Sequence, residues 1–173
     1  MDLGGRRIAV VVTGVSGSGK STLGRALAER LGAAFVDADD LHPAENVMKM
    51  AAGSPLTDED RAPWLDRVAG AIADEPGSIV VACSALRRSY RDRLRGRSGG
   101  TIAFVQLTAT RERLAERLDR RRGHFMPAAL LDSQLATLEP LAADEEPAIV
   151  VEATKELGAL VAEVSAWLGR TAY

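Results

Sequence analysis

Cysteine is nearly missing from this chain: Cys83 stands alone among 173 residues. That excludes an intramolecular disulfide and any zinc site built on cysteine. Aromatic side chains are scarce too, at 4%. Little ring surface is therefore on offer for stacking nucleobases, a contact worth about 1–3 kcal/mol per base. Neither charge sign is in excess. Lys and Arg total 22 against 24 Asp and Glu, a formal net charge of −2, which argues against a polycation for non-specific nucleic-acid or membrane binding. No apolar run approaches the roughly 20 residues that span a bilayer. Residues 1–7 lead directly into a short apolar strand without a signal-peptide pattern, so the expected compartment is the cytoplasm. Lysine is rare as well: 19 of the 22 basic residues are arginine, leaving Lys20, Lys49 and Lys155.

The remaining composition is that of one globular domain spanning residues 1–173. Hydrophobic residues make up 46% and charged residues 27%, and a chain of this length buries about 70% of its unfolded surface. Five apolar runs stand out, at 8–12, 34–36, 79–82, 102–107 and 148–151. Most are rich in Val and Ile and do not alternate with polar residues, as expected of strands buried on both faces of a parallel sheet. Helical spacing separates them: Leu23, Leu27 and Leu31; Leu114 and Leu118; then Leu157, Leu160, Val161, Val164 and Leu168. Strands alternating with helices predict an α/β fold, a five-stranded parallel sheet flanked by helices. Residues 96–100 and 142–147 read as surface loops. The stretch from about 38 to 78 carries Pro43, Gly53, Pro55 and Pro63 and reads as several short helices forming a substrate-side insert.

Gly14-Val15-Ser16-Gly17-Ser18-Gly19-Lys20-Ser21 fits the G-x-x-x-x-G-K-[ST] phosphate loop, with a strand before it and a helix after it. Glycines let backbone N–H groups turn inward toward phosphates, and the new helix adds its positive end. Lys20 would reach the β- and γ-phosphates, and Ser21 offers a hydroxyl to Mg²⁺. ATP contacts are expected from Gly14, Val15, Ser16, Gly17, Ser18, Gly19, Lys20, Ser21 and Thr22. A GTP switch would also need Asn-Lys-x-Asp; the nearest segment, Thr154-Lys155-Glu156-Leu157, lacks both Asn and Asp.

The second strand runs into Asp37-Ala38-Asp39-Asp40-Leu41-His42. Carboxyl ends of strands are where ligands bind in such sheets, and alternation along an extended segment would point Asp37 and Asp39 the same way. One carboxylate could serve Mg²⁺ and the other take a proton from an attacking hydroxyl. Two other readings compete: Asp39 or Asp40 as a helix cap, and a transition-metal site of Asp37, Asp39 and His42. Twelve of the 19 arginines fall between Arg87 and Arg122. Arg113, Arg117 and Arg121 recur at four-residue spacing and share a helix face that could neutralise a transferred phosphoryl group. Arg93, Arg95 and Arg97 are expected to face water. The third strand ends in Cys83-Ser84, without the acidic residue common there in phosphate-loop proteins, which favours Asp37 for magnesium. Cys83 reads as a small buried residue.

Several blocks together resemble the gluconate kinases. They comprise Asp37, Asp39, Leu41-His42-Pro43, Asn46 and Lys49-Met50; Pro55-Leu56-Thr57-Asp58-Glu59-Asp60-Arg61 and Pro63-Trp64-Leu65; Cys83-Ser84-Ala85-Leu86-Arg87-Arg88 and Tyr90-Arg91-Asp92; Arg117-Leu118, Arg121 and Gly123-His124-Phe125; and Leu131, Ser133-Gln134 and Thr137-Leu138-Glu139. The resemblance spans about residues 8 to 165. It implies a P-loop NTPase fold of the nucleoside monophosphate kinase type and ATP-dependent phosphorylation of D-gluconate at its 6-hydroxyl. It also implies a lid over about 121–136 and a homodimer. By the same resemblance Lys20, Asp39 and Arg121 are catalytic, Asp37 serves magnesium beside Ser21, and Arg117 lies along the adenine. Substrate contacts would come from Asp39, His42, Lys49, Arg61, Arg87 or Arg88, His124 and Gln134. The nearest alternative is a kinase of another small carboxylated substrate such as shikimate. Beyond it stand an ATP-binding sensor without transfer and a nucleic-acid end kinase.

Overall fold

The computed structural model describes residues 7–119, 128–145 and 147–171. Five parallel strands form one sheet in the order β2-β3-β1-β4-β5. They are β1 (Ala9–Thr13), β2 (Ala34–Asp37), β3 (Ile79–Ala82), β4 (Ile102–Thr108) and β5 (Ala148–Glu152). Each expected apolar run is a strand, displaced by no more than a residue at either end. The three inner strands are buried almost throughout, which is why their sequences do not alternate. Register pairs Val11 with Val81 on one side and Phe104 on the other.

Helices α1 (Lys20–Leu31) and α7 (Leu157–Arg170) cover one face. There Leu23, Leu27, Leu160, Val164 and Leu168 pack on Val10, Val12, Ala103 and Val105. Leu157, at the start of α7, stays exposed. Helices α3 (Asp58–Asp74) and α4 (Arg88–Ser98) cover the other face. Trp64, Leu65, Val68, Ile72 and Leu94 pack there on Ala9, Val11, Val81 and Phe104. The even residues of β1 thus feed one core and the odd residues the other, as strand geometry requires.

Four expectations change here. The 38–78 stretch holds a 3-10 turn (Ala38–Leu41), the short α2 (Ala44–Ala51) and the 17-residue α3. Its second half is thus a core helix and not part of a chain of short helices. Residues 96–98 continue α4, which ends at Gly99 in the left-handed region. Within 142–147, Glu145 is buried, not on the surface; its carboxylate pairs with Arg91 at 2.7 Å, and both side chains are fully enclosed. Arg95 also departs from the expected solvent exposure: it bonds Glu145 at 3.3 Å and lies over the Phe104 ring at 4.4 Å.

The connections after β1 and β4 leave in opposite directions, which opens a crevice at their carboxyl ends. The phosphate loop follows β1 there. Helix α5 (Arg111–Asp119) and helix α6 (Ala128–Thr137) close over it. Leu114, Leu118 and Leu131 bury themselves against Val15 and Leu86.

Candidate active site

The loop between β1 and α1 depends on its glycines. Gly14 has φ +142°, and a Cβ there would meet the Leu107 carbonyl oxygen at 2.7 Å. Gly17 has φ +82°, with Leu118 Cγ at 3.0 Å from such a Cβ. Lys20 donates to the Val15 carbonyl at 3.2 Å and so lies folded back over the loop. Ser18 Oγ is buried and, among the described residues, has no hydrogen-bond partner. The Thr13 hydroxyl donates to the Ser84 carbonyl, joining the ends of β1 and β3. Cys83 is buried there and burial pushes its thiol up to about 12, so it stays protonated and inert.

Ser21, in the first turn of α1, donates to Asp37 Oδ2 at 2.6 Å. The other oxygen, Oδ1, accepts from the Asp39 backbone N–H at 3.2 Å. Asp37 is therefore the residue that caps the 3-10 turn, whereas the sequence offers capping as the competing reading for Asp39 or Asp40. The chain leaves the extended conformation at Ala38, so strand alternation does not relate Asp37 to Asp39. Asp39 instead projects from the turn with its side chain exposed. Two hard oxygens on adjoining elements suit Mg²⁺, which keeps several waters and takes few protein ligands. Among the described residues, no group of three or more His, Cys, Asp or Glu is arranged to hold a metal ion, so Asp37, Asp39 and His42 do not form the transition-metal site considered from spacing.

Trp64 of α3 sets this turn. Its indole N–H donates to the Ala38 carbonyl at 2.6 Å, and its ring stacks on His42 with centroids 4.3 Å apart and planes 11° apart. Asn46, buried in α2, donates to the Asp60 carbonyl at 2.8 Å and lies 3.3 Å from His42 Nδ1. An Nδ1 that accepts from Asn46 leaves Nε2–H as the donor of a neutral ring. Burial holds the His42 pKa below its ordinary value, in keeping with the neutral form. Lys49 is occupied: it donates to both Asp60 oxygens at 2.7 and 2.8 Å. Asp60 in turn completes a capping box with Thr57, and those bonds hold its carboxyl at about 2.

Arg61 and Arg87 come together across α3 and α4. Arg87 donates to Asp58 Oδ2 at 2.8 Å, Arg61 lies 3.8 Å from Oδ1, and the Tyr90 hydroxyl donates to Oδ1. Arg88 is turned to other partners. It forms a two-pronged pair with Asp144 at 3.0 and 2.8 Å, and its backbone N–H donates to Glu139.

On the nucleotide side, a cleft of about 450 Å³ is lined by Gly17, Ser18, Gly19, Thr22, Arg117 and the loop Ala153–Glu156. Arg117 donates to the Ser18 carbonyl at 3.1 Å. The loop after β5 carried no nucleotide signal in sequence beyond its failed guanine motif. Gln134, expected at the substrate, instead accepts from the Ser16 backbone N–H at 2.7 Å, so α6 rests directly on the phosphate loop. Its partner helix α5 is tied to it by Arg111 and Asp132 at 2.7 Å. Arg121, Gly123, His124 and Phe125 lie outside the described residues. The described part of the expected lid, from 128 on, is helix α6, with Leu131 buried. Arg113, on the face shared with Arg117, is exposed and 4.0 Å from Glu116.

A family model described as an AAA domain matches residues 10–141. A gluconokinase of Gluconobacter oxydans (strain 621H) is 50% identical over 158 residues, covering 90% of this chain and 88% of that protein. The crystal structure of a gluconokinase from Sinorhizobium meliloti 1021 matches with a TM-score of 0.87 at 48% identity, over 95% of this chain and 94% of that one. A shikimate kinase from Acinetobacter baumannii matches with a TM-score of 0.63 at 19% identity, over 93% and 92%; that likeness is one of fold alone.

Proposed function

The chain belongs to the gluconokinase family of P-loop kinases, and on that premise we propose that it transfers the γ-phosphoryl group of ATP to the 6-hydroxyl of D-gluconate. The products are 6-phospho-D-gluconate and ADP. The observation that carries this reading is the position of Asp37, whose two oxygens join the phosphate loop at Ser21 to the acceptor turn at Asp39.

Asp39 orients the 6-hydroxyl and takes its proton as that oxygen bonds to the γ-phosphorus and the bond to the ADP oxygen breaks. Lys20 and the loop amides neutralise charge on the transferred group, and Arg121 belongs to the same role. Ser21 and Asp37 would hold Mg²⁺, which when bound neutralises the phosphate oxygens. Arg117 and the loop Ala153–Glu156 hold the adenosine. His42 offers Nε2–H to a substrate hydroxyl. Arg61 and Arg87 already converge on one carboxylate, and they hold that of the sugar acid. Arg88 and Lys49 have partners elsewhere and serve the packing of α4 and α2.

A coupled assay with ATP and a panel of sugar acids, shikimate included, tests the reading. Gluconate turnover with phosphate at the 6-position is expected. Turnover of shikimate but not gluconate, or ATP binding without any product, overturns it. Lys20→Met is expected to abolish turnover while the far-UV CD melt stays cooperative.

A further inference from the structure

Asp58 already stands where a ligand carboxylate would stand. Its Oδ2 accepts from Arg87 Nη1 at 2.8 Å. Its Oδ1 accepts from the Tyr90 hydroxyl and has Arg61 Nη1 3.8 Å away. Both guanidinium groups lie over the Tyr90 ring, 5.7 and 5.8 Å from its centroid. The ring is buried, so the two cations are set on a rigid platform. Asp58 itself is 52% exposed, so nothing encloses it in this position.

Two guanidinium groups and one carboxylate leave a net charge of +1. A bare pair would carry +2, would repel itself, and would attract any small dianion from solution. Building on the assignment of Arg61 and Arg87 to gluconate, we propose that Asp58 is an internal stand-in for the substrate carboxylate, holding the two guanidinium groups in binding geometry and yielding them when gluconate arrives. The exchange is one carboxylate for another, so it conserves the charge-assisted hydrogen bond from Arg87 and the longer ion pair with Arg61, whose Nη1 also donates to the Leu56 carbonyl. Gluconate can win it because its hydroxyls also bind at the acceptor turn. A free phosphate ion brings no such second attachment and is kept off. The device selects against the wrong ligand at some cost in affinity for the right one. The apparent affinity for gluconate is the intrinsic one multiplied by the fraction of time the clamp is free of Asp58.

The test is Asp58→Asn in the full chain, measured for gluconate KM and for inhibition by inorganic phosphate at saturating ATP. The stand-in role predicts a gluconate KM about 3–10-fold lower, from a clamp otherwise free about 10–30% of the time. It also predicts phosphate inhibition competitive with gluconate at a concentration at least about tenfold below wild type, while KM for ATP does not move. Absence of either change overturns the proposal. Tyr90→Phe leaves Asp58 in place but loosens it, and should produce the same two changes at smaller size; it decides the matter if Asp58→Asn does not fold. Arg87→Gln separates this proposal from the assignment beneath it. A raised gluconate KM in Arg87→Gln, with no new phosphate sensitivity in Asp58→Asn, removes the stand-in alone. An unchanged gluconate KM in Arg87→Gln removes the clamp as well.

Discussion

Ser21 and Asp37 are joined by a 2.6 Å hydrogen bond, with the hydroxyl donating to Oδ2. The contact ties the first turn of α1 to the carboxyl end of β2, in addition to the packing of Arg25 over the Phe35 ring at 4.8 Å. With Oδ1 capping the Asp39 turn, one carboxylate sets the distance between phosphate loop and acceptor turn.

Asp37→Asn keeps the shape of the cap and removes the charge. We expect it to weaken Mg²⁺ dependence and activity together, by about 10–100-fold, the loss typical when a group supporting a metal site is removed. A Mg²⁺ titration of the rate at fixed ATP would check this, and an unchanged half-saturating concentration would take Asp37 out of the metal site.

Asp39→Asn should lower kcat by at least about 10²-fold with little change in KM for ATP, as expected for a lost general base. Trp64→Phe bears on the same group from behind. It keeps a ring against His42 but leaves the Ala38 carbonyl without its donor, at a cost of about 1–3 kcal/mol. A lower Tm together with a higher gluconate KM is expected; a lower Tm alone would mean that Trp64 only packs.

Gln134→Glu places a carboxylate where Ser16 N–H now meets an amide oxygen at 2.7 Å. Negative charge beside the phosphate loop should raise KM for ATP by about tenfold, less at high salt. Steady-state kinetics at two ionic strengths would detect it. If KM for ATP stays at the wild-type value, α6 does not rest on the loop during turnover.

Glu145 makes stability depend on acid. Hydrogen bonds from Arg91, backed by the Ala142 amide and Arg95, hold its carboxyl at about 2 against an ordinary 4.5. The folded state therefore binds this proton less readily than the unfolded chain. The stabilisation is complete above about pH 4.5 and is lost as the pH falls toward 2, amounting to about 3 kcal/mol. Urea unfolding at pH 7, 4 and 3 should show a steep acid limb that Glu145→Gln flattens. That variant should also be less stable at pH 7 by about 3–5 kcal/mol, since Arg91 would be left as a buried charge without its counter-ion. An acid limb equally steep in the variant would mean that other carboxylates set it.

The strands and the phosphate loop were legible from residue order alone. A strand buried on both faces is apolar at nearly every position, Thr13 and Gln106 being the buried polar exceptions in β1 and β4, and a loop with φ near +82° at Gly17 and +142° at Gly14 must be glycine there; both constraints act on a few adjacent residues. The charged residues were legible in kind but not in partner. Arg91, Arg95 and Arg88 look alike in sequence, yet the first is enclosed with Glu145, the second lies half-buried over Phe104, and the third faces Asp144. Which carboxylate each arginine meets depends on how α4 packs against α3 and the segment before β5, contacts formed between residues some 27 to 56 positions apart. The acceptor turn divides the same way. Residue type marked Asp37 and Asp39 as chemically active. Only the tertiary structure revealed that Asp37 caps the turn, that Trp64 anchors it, and that Asp58 occupies the arginine pair: the cap is local but depends on where the chain leaves the strand, and the bonds of Trp64 to Ala38 and of Arg87 to Asp58 join residues 26 and 29 positions apart.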